Sequence, residues 1–212
     1  MKKIKILGIL VLLSRILYSQ SSFVIEYDNP GNGVLRYTFE TSTGDFISLG
    51  GQKNRPNPIP EPAHIFKINS SGEIINELVF SKPDTLLLLH YGYEKSNGNY
   101  FLLGILSDTL PTQYFNLTNF TYACEITPEF DLIWEKYYAI PEPYNRQQIC
   151  NFIRDADSNL YVHASADSSM EGFDNVLMTM KFDKYGNQLD LNIYGEWHSD
   201  SPYNEMIFNS DS

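Results

Sequence analysis

The sequence predicts an all-β fold, and three observations carry that prediction. The composition favours strands: of 212 residues, 15 are Tyr and 13 are Phe, and aromatic residues sit well on a pleated, half-buried surface. No sustained 3.6-residue periodicity occurs after Gln20. The chain also repeats itself three times, with Ile65–Phe80 recurring as Ala123–Tyr138 and again as Thr179–Tyr194. A hydrophobic content of 42% supplies a core and excludes a disordered chain.

In chain order, the segment Met1–Gln20 stands apart. Met1, Lys2, Lys3 and Lys5 form a basic start, and Ile6 to Leu13 is an unbroken apolar run. That run is too short to span a bilayer, which needs roughly 20 residues. Met1–Gln20 therefore reads as a secretory signal peptide cleaved near Ser19 or Gln20, with a short uncleaved anchor as the competing reading. No Cys directly follows the run, which excludes a lipobox anchor. Met1–Gln20 carries four basic and no acidic side chains; without it, 11 basic face 26 acidic residues and the net charge moves from −11 to −15. A chain this acidic, with no Lys/Arg cluster, is a poor partner for nucleic acid or an anionic membrane surface.

Two blocks make up the repeat. In the block already named, Ile68, Ile126 and Phe182 correspond at separations of 58 and 56. The other block runs from Leu35 to Gly50, Leu89 to Gly104 and Ile149 to Ala164, at offsets of 54 and 60. The blocks alternate, and such a period outranks any single-residue motif.

Each unit reads as four strands. Strand, Gly/Asn/Asp/Ser turn and strand make a first hairpin. A variable loop comes next, over Gln52–Ala63, Ser107–Thr121 or Asp167–Asn175. A third strand, a turn at Gly72 or Gly186, and a fourth strand complete the unit. Those glycines supply left-handed backbone; Phe130 takes the place in the middle copy, so a different turn type is expected there. Phe66/Ile68, Cys124/Ile126 and Met180/Phe182 share one face, and Lys67, Glu125 and Lys181 lie on the other. That alternation predicts small sheets with one side packed more tightly.

Four-stranded sheets that repeat, none able to bury itself alone, stack radially in a propeller. The expected architecture is thus an incomplete β-propeller-like array of about three four-stranded antiparallel blades. The first blade covers positions 34–80, the second 85–138 and the third 147–194. Positions 21–33, including Ser22–Tyr27, read as an N-terminal strand that would complete a last blade. Positions 195–212 read as the start of a truncated fourth unit. Three blades and a fragment fall short of the 4–8 in a closed ring, so the expectation is a shortened reading frame or completion by another chain. Open terminal faces would favour self-association.

FKINSSGEIINELVF, MKFDKYGNQLDLNIYG and the DADSNLYVHAS hairpin, behind a signal peptide ending in Ser-Gln, resemble the repeats of exported Bacteroidota proteins. The resemblance spans roughly positions 22–208. It implies export and propeller-type presentation, often with a C-terminal sorting domain for type IX secretion, which this sequence lacks; it implies no chemistry.

The candidate chemistry is sparse. Asp155, Asp157 and Asn159 resemble the opening of a Ca²⁺ loop, but an EF-hand wants Gly sixth and Glu twelfth, where this chain has Leu160 and Ala166. The other reading is a turn stabilised by its own polar side chains. Four histidines (His64, His90, His163, His198) never pair at ligand spacing, and His90 aligns with Arg36 and Cys150. Cys124 and Cys150 are either one disulfide or two buried thiols, since spacing cannot show that their Cβ atoms meet. No spacing marks a carboxylate pair for glycoside hydrolysis, and no nucleophile elbow or phosphate loop occurs. Three sequons begin at Asn69, Asn116 and Asn119, and Asp84-Thr85-Leu86 and Asp108-Thr109-Leu110 resemble a bacterial O-glycosylation motif. In known propellers the first strand is innermost, so Tyr37, Phe39, Tyr91 and Tyr93 form a candidate ligand surface able to stack on sugars or peptides, set against ordinary blade packing. Trp134 and Trp197 carry the same two readings.

The function expected is a secreted or surface-presented, non-catalytic binding or adhesion module without cofactor, its ligand a glycan or a protein. A fragment of a propeller enzyme such as a glycosidase is the alternative, and a nonfunctional truncated product is a third.

Overall fold

The computed structural model describes residues 32–53, 62–82, 85–108, 119–144, 146–167 and 175–196. The expected signal peptide lies outside these residues, as do Trp197, His198, Asn116, and almost all of segments 21–33 and 195–212.

Among the described residues, twelve strands form three sheets of four. Sheet 1 holds β1 (Asn32–Glu40), β2 (Phe46–Lys53), β3 (Ala63–Ile68) and β4 (Ile74–Phe80). Sheet 2 holds β5 (Thr85–Glu94), β6 (Tyr100–Asp108), β7 (Asn119–Ile126) and β8 (Leu132–Ala139). Sheet 3 holds β9 (Arg146–Arg154), β10 (Leu160–Asp167), β11 (Asn175–Phe182) and β12 (Gln188–Glu196). Every pairing is antiparallel between strands consecutive in sequence. Among the described residues there is no helix, and so none long and apolar enough to cross a membrane.

Six tight turns share one end of the sheets, because in a four-strand meander the first and third connections fall on the same side. All six make the same pair of backbone bonds, as in Asn69 N to Glu73 O at 2.9 Å and Gly72 N to Asn69 O at 2.9 Å. Their fourth residues, Gly44, Gly72, Gly98, Phe130, Ser158 and Gly186, all have positive φ. The middle copy therefore does not differ: Phe130 adopts φ 74° and its turn keeps the bonds of the glycine copies. Burial outweighs the backbone cost, since the Phe130 ring lies in the core beside Tyr100, with centroids 6.4 Å apart.

The core is two layers, one on each side of sheet 2. Ile47, Leu49, Ala63 and Ile65 of sheet 1 meet Leu87, Leu89, Leu102, Tyr122, Cys124 and Ile126 of sheet 2. On the other side, Phe101, Leu103, Ile105 and Ala123 of sheet 2 meet Ile149, Val162, Ala164, Met178, Met180 and Phe182 of sheet 3. Even-numbered residues of β6 and β7 thus face sheet 1 and odd ones face sheet 3, the period-2 rule applied to a sheet buried on both sides. The expectation of one tightly packed side does not hold for sheet 2, nor for β3 of sheet 1 and β10 of sheet 3, whose alternating side chains are almost all buried. Glu125, placed on the polar face by its sequence, is only 5% exposed. The repeat explains the stacking: the face sheet 1 turns to sheet 2 is the face sheet 2 turns to sheet 3.

Candidate functional site

The sheets meet along their first strands. β5 lies against β1, β2 and β3, and β9 lies against β6 and β7. Each first strand carries a bulge at the same place. Register skips Arg36 in β1, His90 in β5 and Cys150 in β9. These are the three residues that align in the sequence, and a bulge re-aims the side chains beyond it.

Beyond the bulges the strands are aromatic. Tyr37 and Tyr91 lie 5.3 Å apart edge to face, Tyr91 and Phe152 lie 5.1 Å apart, and Tyr37 and Phe152 lie 6.3 Å apart. Three rings from three sheets thus touch one another, in arrangements aromatic pairs favour. Tyr93 stacks between Phe101 at 5.3 Å and Phe152 at 6.2 Å. The Arg154 guanidinium lies 4.6 Å from the Tyr93 ring, a cation–π distance. Phe39 packs on Tyr100 at 5.9 Å. It also lies over Gly92, where a Cβ would come within 2.9 Å of its ring; the missing side chain makes this approach possible.

Tyr37, Phe39, Tyr91, Tyr93 and Phe152 are each half-buried. Part of each ring belongs to an inter-sheet layer, Phe39 and Tyr37 to the first and Tyr91, Tyr93 and Phe152 to the second. The Tyr91 hydroxyl donates to the carbonyl of Cys150, tying β5 to β9. Burial raises the Tyr37 phenol; burial also raises that of Tyr93, against the opposing pull of Arg154. Burial and the nearby Arg36 charge push His90 down to about 4, so its imidazole is neutral at pH 7. The arrangement can stack and can offer one guanidinium.

The remaining sequence candidates fall elsewhere. Asp155, Asp157 and Asn159 sit in the β9–β10 turn. Asp155 Oδ1 accepts from the amides of Asp157 at 3.0 Å and Asn159 at 2.8 Å, and its Oδ2 accepts from Asn159 Nδ2 at 2.8 Å. Asp183 makes the same bonds in the β11–β12 turn, and Asn69 Oδ1 takes the two equivalent amides in the β3–β4 turn. The Asp155 carboxylate thus performs the turn role that the sequence offered beside Ca²⁺. Among the described residues, no group of three or more His, Cys, Asp or Glu is placed to hold a metal ion.

Both cysteines are free thiols. Cys124 faces sheet 1, whereas Cys150 belongs to β9 beyond the opposite face of sheet 2, so the sheet itself separates them. The disulfide does not form, and burial pushes the Cys124 thiol up to about 12. Sequence reasoning missed Phe152 and Arg154. Phe152 aligns with Gly92, and its ring reaches the cluster from the opposite face of its strand, a signal absent from an in-register column of aromatics.

No known protein family matches the chain, and no curated protein is significantly similar to it.

Proposed function

We propose that this chain is an exported, non-catalytic repeat module of propeller-like build that binds a glycan or protein ligand at or outside the cell surface. The leader-like segment Met1–Gln20 and the acidic charge of the remainder support export and argue against nucleic acid. Contact along the first strands, with exposed Ile75, Val79, Ile133, Tyr137, Leu189 and Ile193 all on the fourth strands, supports a radial, blade-like splay.

The observation that carries the binding reading is the convergence of Tyr37, Tyr91 and Phe152, one ring from each sheet, with Arg154 over the adjacent Tyr93. An aromatic surface with one guanidinium suits a sugar ring or an aromatic peptide side chain. The test is a glycan array and a peptide library probed with the mature chain, alongside the Tyr37→Ala variant. Binding without turnover, weakened at least tenfold by Tyr37→Ala, is the expected result. Hydrolysis of a bound glycan favours the glycosidase-fragment reading instead, because that reaction needs two carboxyls roughly 5–10 Å apart. No binding to any member overturns the proposal.

A further inference from the structure

Glu40, Glu94 and Arg154 correspond in the repeat and end the first strands β1, β5 and β9. Glu94 serves the preceding sheet. Its carboxylate accepts from the Ser42 amide and, at 2.9 Å, from the Ser42 hydroxyl in the β1–β2 turn. Arg154 stands at that place one repeat later, and a guanidinium cannot accept from the corresponding Ser96. It is exposed and lies over the Tyr93 ring at 4.6 Å instead. A guanidinium held against an aromatic face keeps its planar fork of donors. The repeat has thus exchanged a turn-holding carboxylate for a cation at the edge of the aromatic cluster.

Among the described residues, Arg154 and Arg36 form no ion pair, whereas Lys67, Lys82 and Lys95 are paired with Asp45, Glu135 and Glu125. Arg36 sits at the β1 bulge next to Tyr37, and its charge reaches His90 on β5. Glu125, whose charge reaches Tyr93, is held by Lys95 at 2.5 Å. Glu40 shares the face of β1 that carries Thr38, opposite to Tyr37 and Phe39. Two uncompensated guanidinium groups therefore adjoin the Tyr37, Tyr91, Phe152 and Tyr93 rings, in a chain whose net charge without Met1–Gln20 is −15. Charges beyond about 8 Å are screened at physiological ionic strength. A ligand with a single anionic group thus responds to the guanidinium beside it and not to the net charge.

We propose that the cluster takes a carboxylated sugar, whose ring lies on the exposed parts of Tyr37, Tyr91 and Phe152 and whose carboxylate pairs with Arg154. This deepens the binding reading above and rests on it. Aromatic rings and a free arginine in one cluster call for a ligand with both an apolar face and a carboxylate. A uronate-type sugar carries the two on one rigid ring. Stacking and a bidentate pair are then fixed together, with few rotors to order. An aspartate or glutamate side chain of a peptide offers the carboxylate alone, and a neutral sugar offers the apolar face alone.

Isothermal titration of the mature chain tests it, with two probes: a trisaccharide ending in glucuronate, and the same trisaccharide with that carboxyl reduced to the alcohol. The wild type is expected to bind the acid about tenfold more tightly. In Arg154→Gln that ratio is expected to fall to about one, and in Arg154→Lys to recover in part, because an ammonium carries the charge without the fork. The ratio is read within one variant, so a folding defect, which weakens both sugars, does not imitate a lost preference. A wild type that binds both trisaccharides equally, or neither, overturns the proposal, as does a preference that survives Arg154→Gln. A glutamate-containing peptide that displaces the glucuronate trisaccharide at lower concentration assigns the site to acidic peptides and overturns the sugar class. In each of these cases, binding of any other glycan or peptide that still depends on Tyr37 leaves the aromatic site standing. Only a failure of every glycan and peptide to bind removes both readings.

Discussion

At the residue scale, the six turns show what left-handed backbone costs and what offsets it. A non-glycine residue there carries roughly 1–2 kcal/mol of steric strain. Ser158, with φ 65°, is the third-copy counterpart of Gly44 and Gly98. Ser158→Gly relieves the strain, and a gain of about 1 kcal/mol in urea unfolding is expected. Phe130 is the opposite case. Deleting a buried phenyl costs about 3–5 kcal/mol, more than the strain released. Phe130→Gly is therefore expected to destabilise by about 2 kcal/mol, and a neutral or stabilising result would show that the ring contributes little to the first core layer.

At the element scale, each sheet ties its third strand to its first hairpin, with the charges rearranged between copies. In sheet 1, Lys67 lies 3.6 Å from Asp45. In sheet 3, Lys181 sits 4.9 Å from the Tyr161 ring. In sheet 2 the sign is reversed: Glu125 stands at the position of Lys67 and Lys181, and receives Lys95 Nζ at 2.5 Å, Asn99 Nδ2 at 2.7 Å and Trp134 Nε1 at 2.8 Å. Lys95 also donates to the Lys184 carbonyl at 3.0 Å, so the cluster joins the β5–β6 turn, β7, β8 and sheet 3. Burial alone would raise the Glu125 carboxyl, but these hydrogen bonds outweigh it and hold the group below the ordinary glutamate range. A depressed carboxyl stabilises the fold above its unfolded value of about 4.3, and that contribution disappears as pH falls through the lower, folded value. Thermal melts of the wild type should therefore lose part of their stability as pH drops below about 4. Glu125→Gln should be about 3 kcal/mol less stable at pH 7, because Lys95 loses its buried partner, and the gap to wild type should narrow in acid. A gap that stays constant with pH would remove the carboxylate from this role.

At the scale of the whole molecule, sheet 2 is the keystone because it alone contributes to both core layers. Local opening free energies follow burial and contact density. Amide exchange is therefore expected to be slowest in β6 and β7 and fastest in β4 and β12, whose side chains are largely exposed. Equal protection in all three sheets would indicate an arrangement less dependent on the middle one.

The sequence alone determined strand type, strand order, hairpin turns and the threefold repeat, because these depend on period-2 alternation and on turn residues close together in the chain. Correspondence of Phe80 with Tyr138 and Tyr194, and of Arg36 with His90 and Cys150, was also legible there. Only the tertiary structure decided the rest. It showed that Phe130 keeps the glycine turn, that Glu125 is buried, that the two thiols are parted by a sheet, and that Phe152 reaches the tyrosines from the opposite side of its strand. Each of these depends on which faces of different sheets come together. Stacking of one sheet upon another is a long-range event, and side-chain alternation within one strand does not specify its outcome.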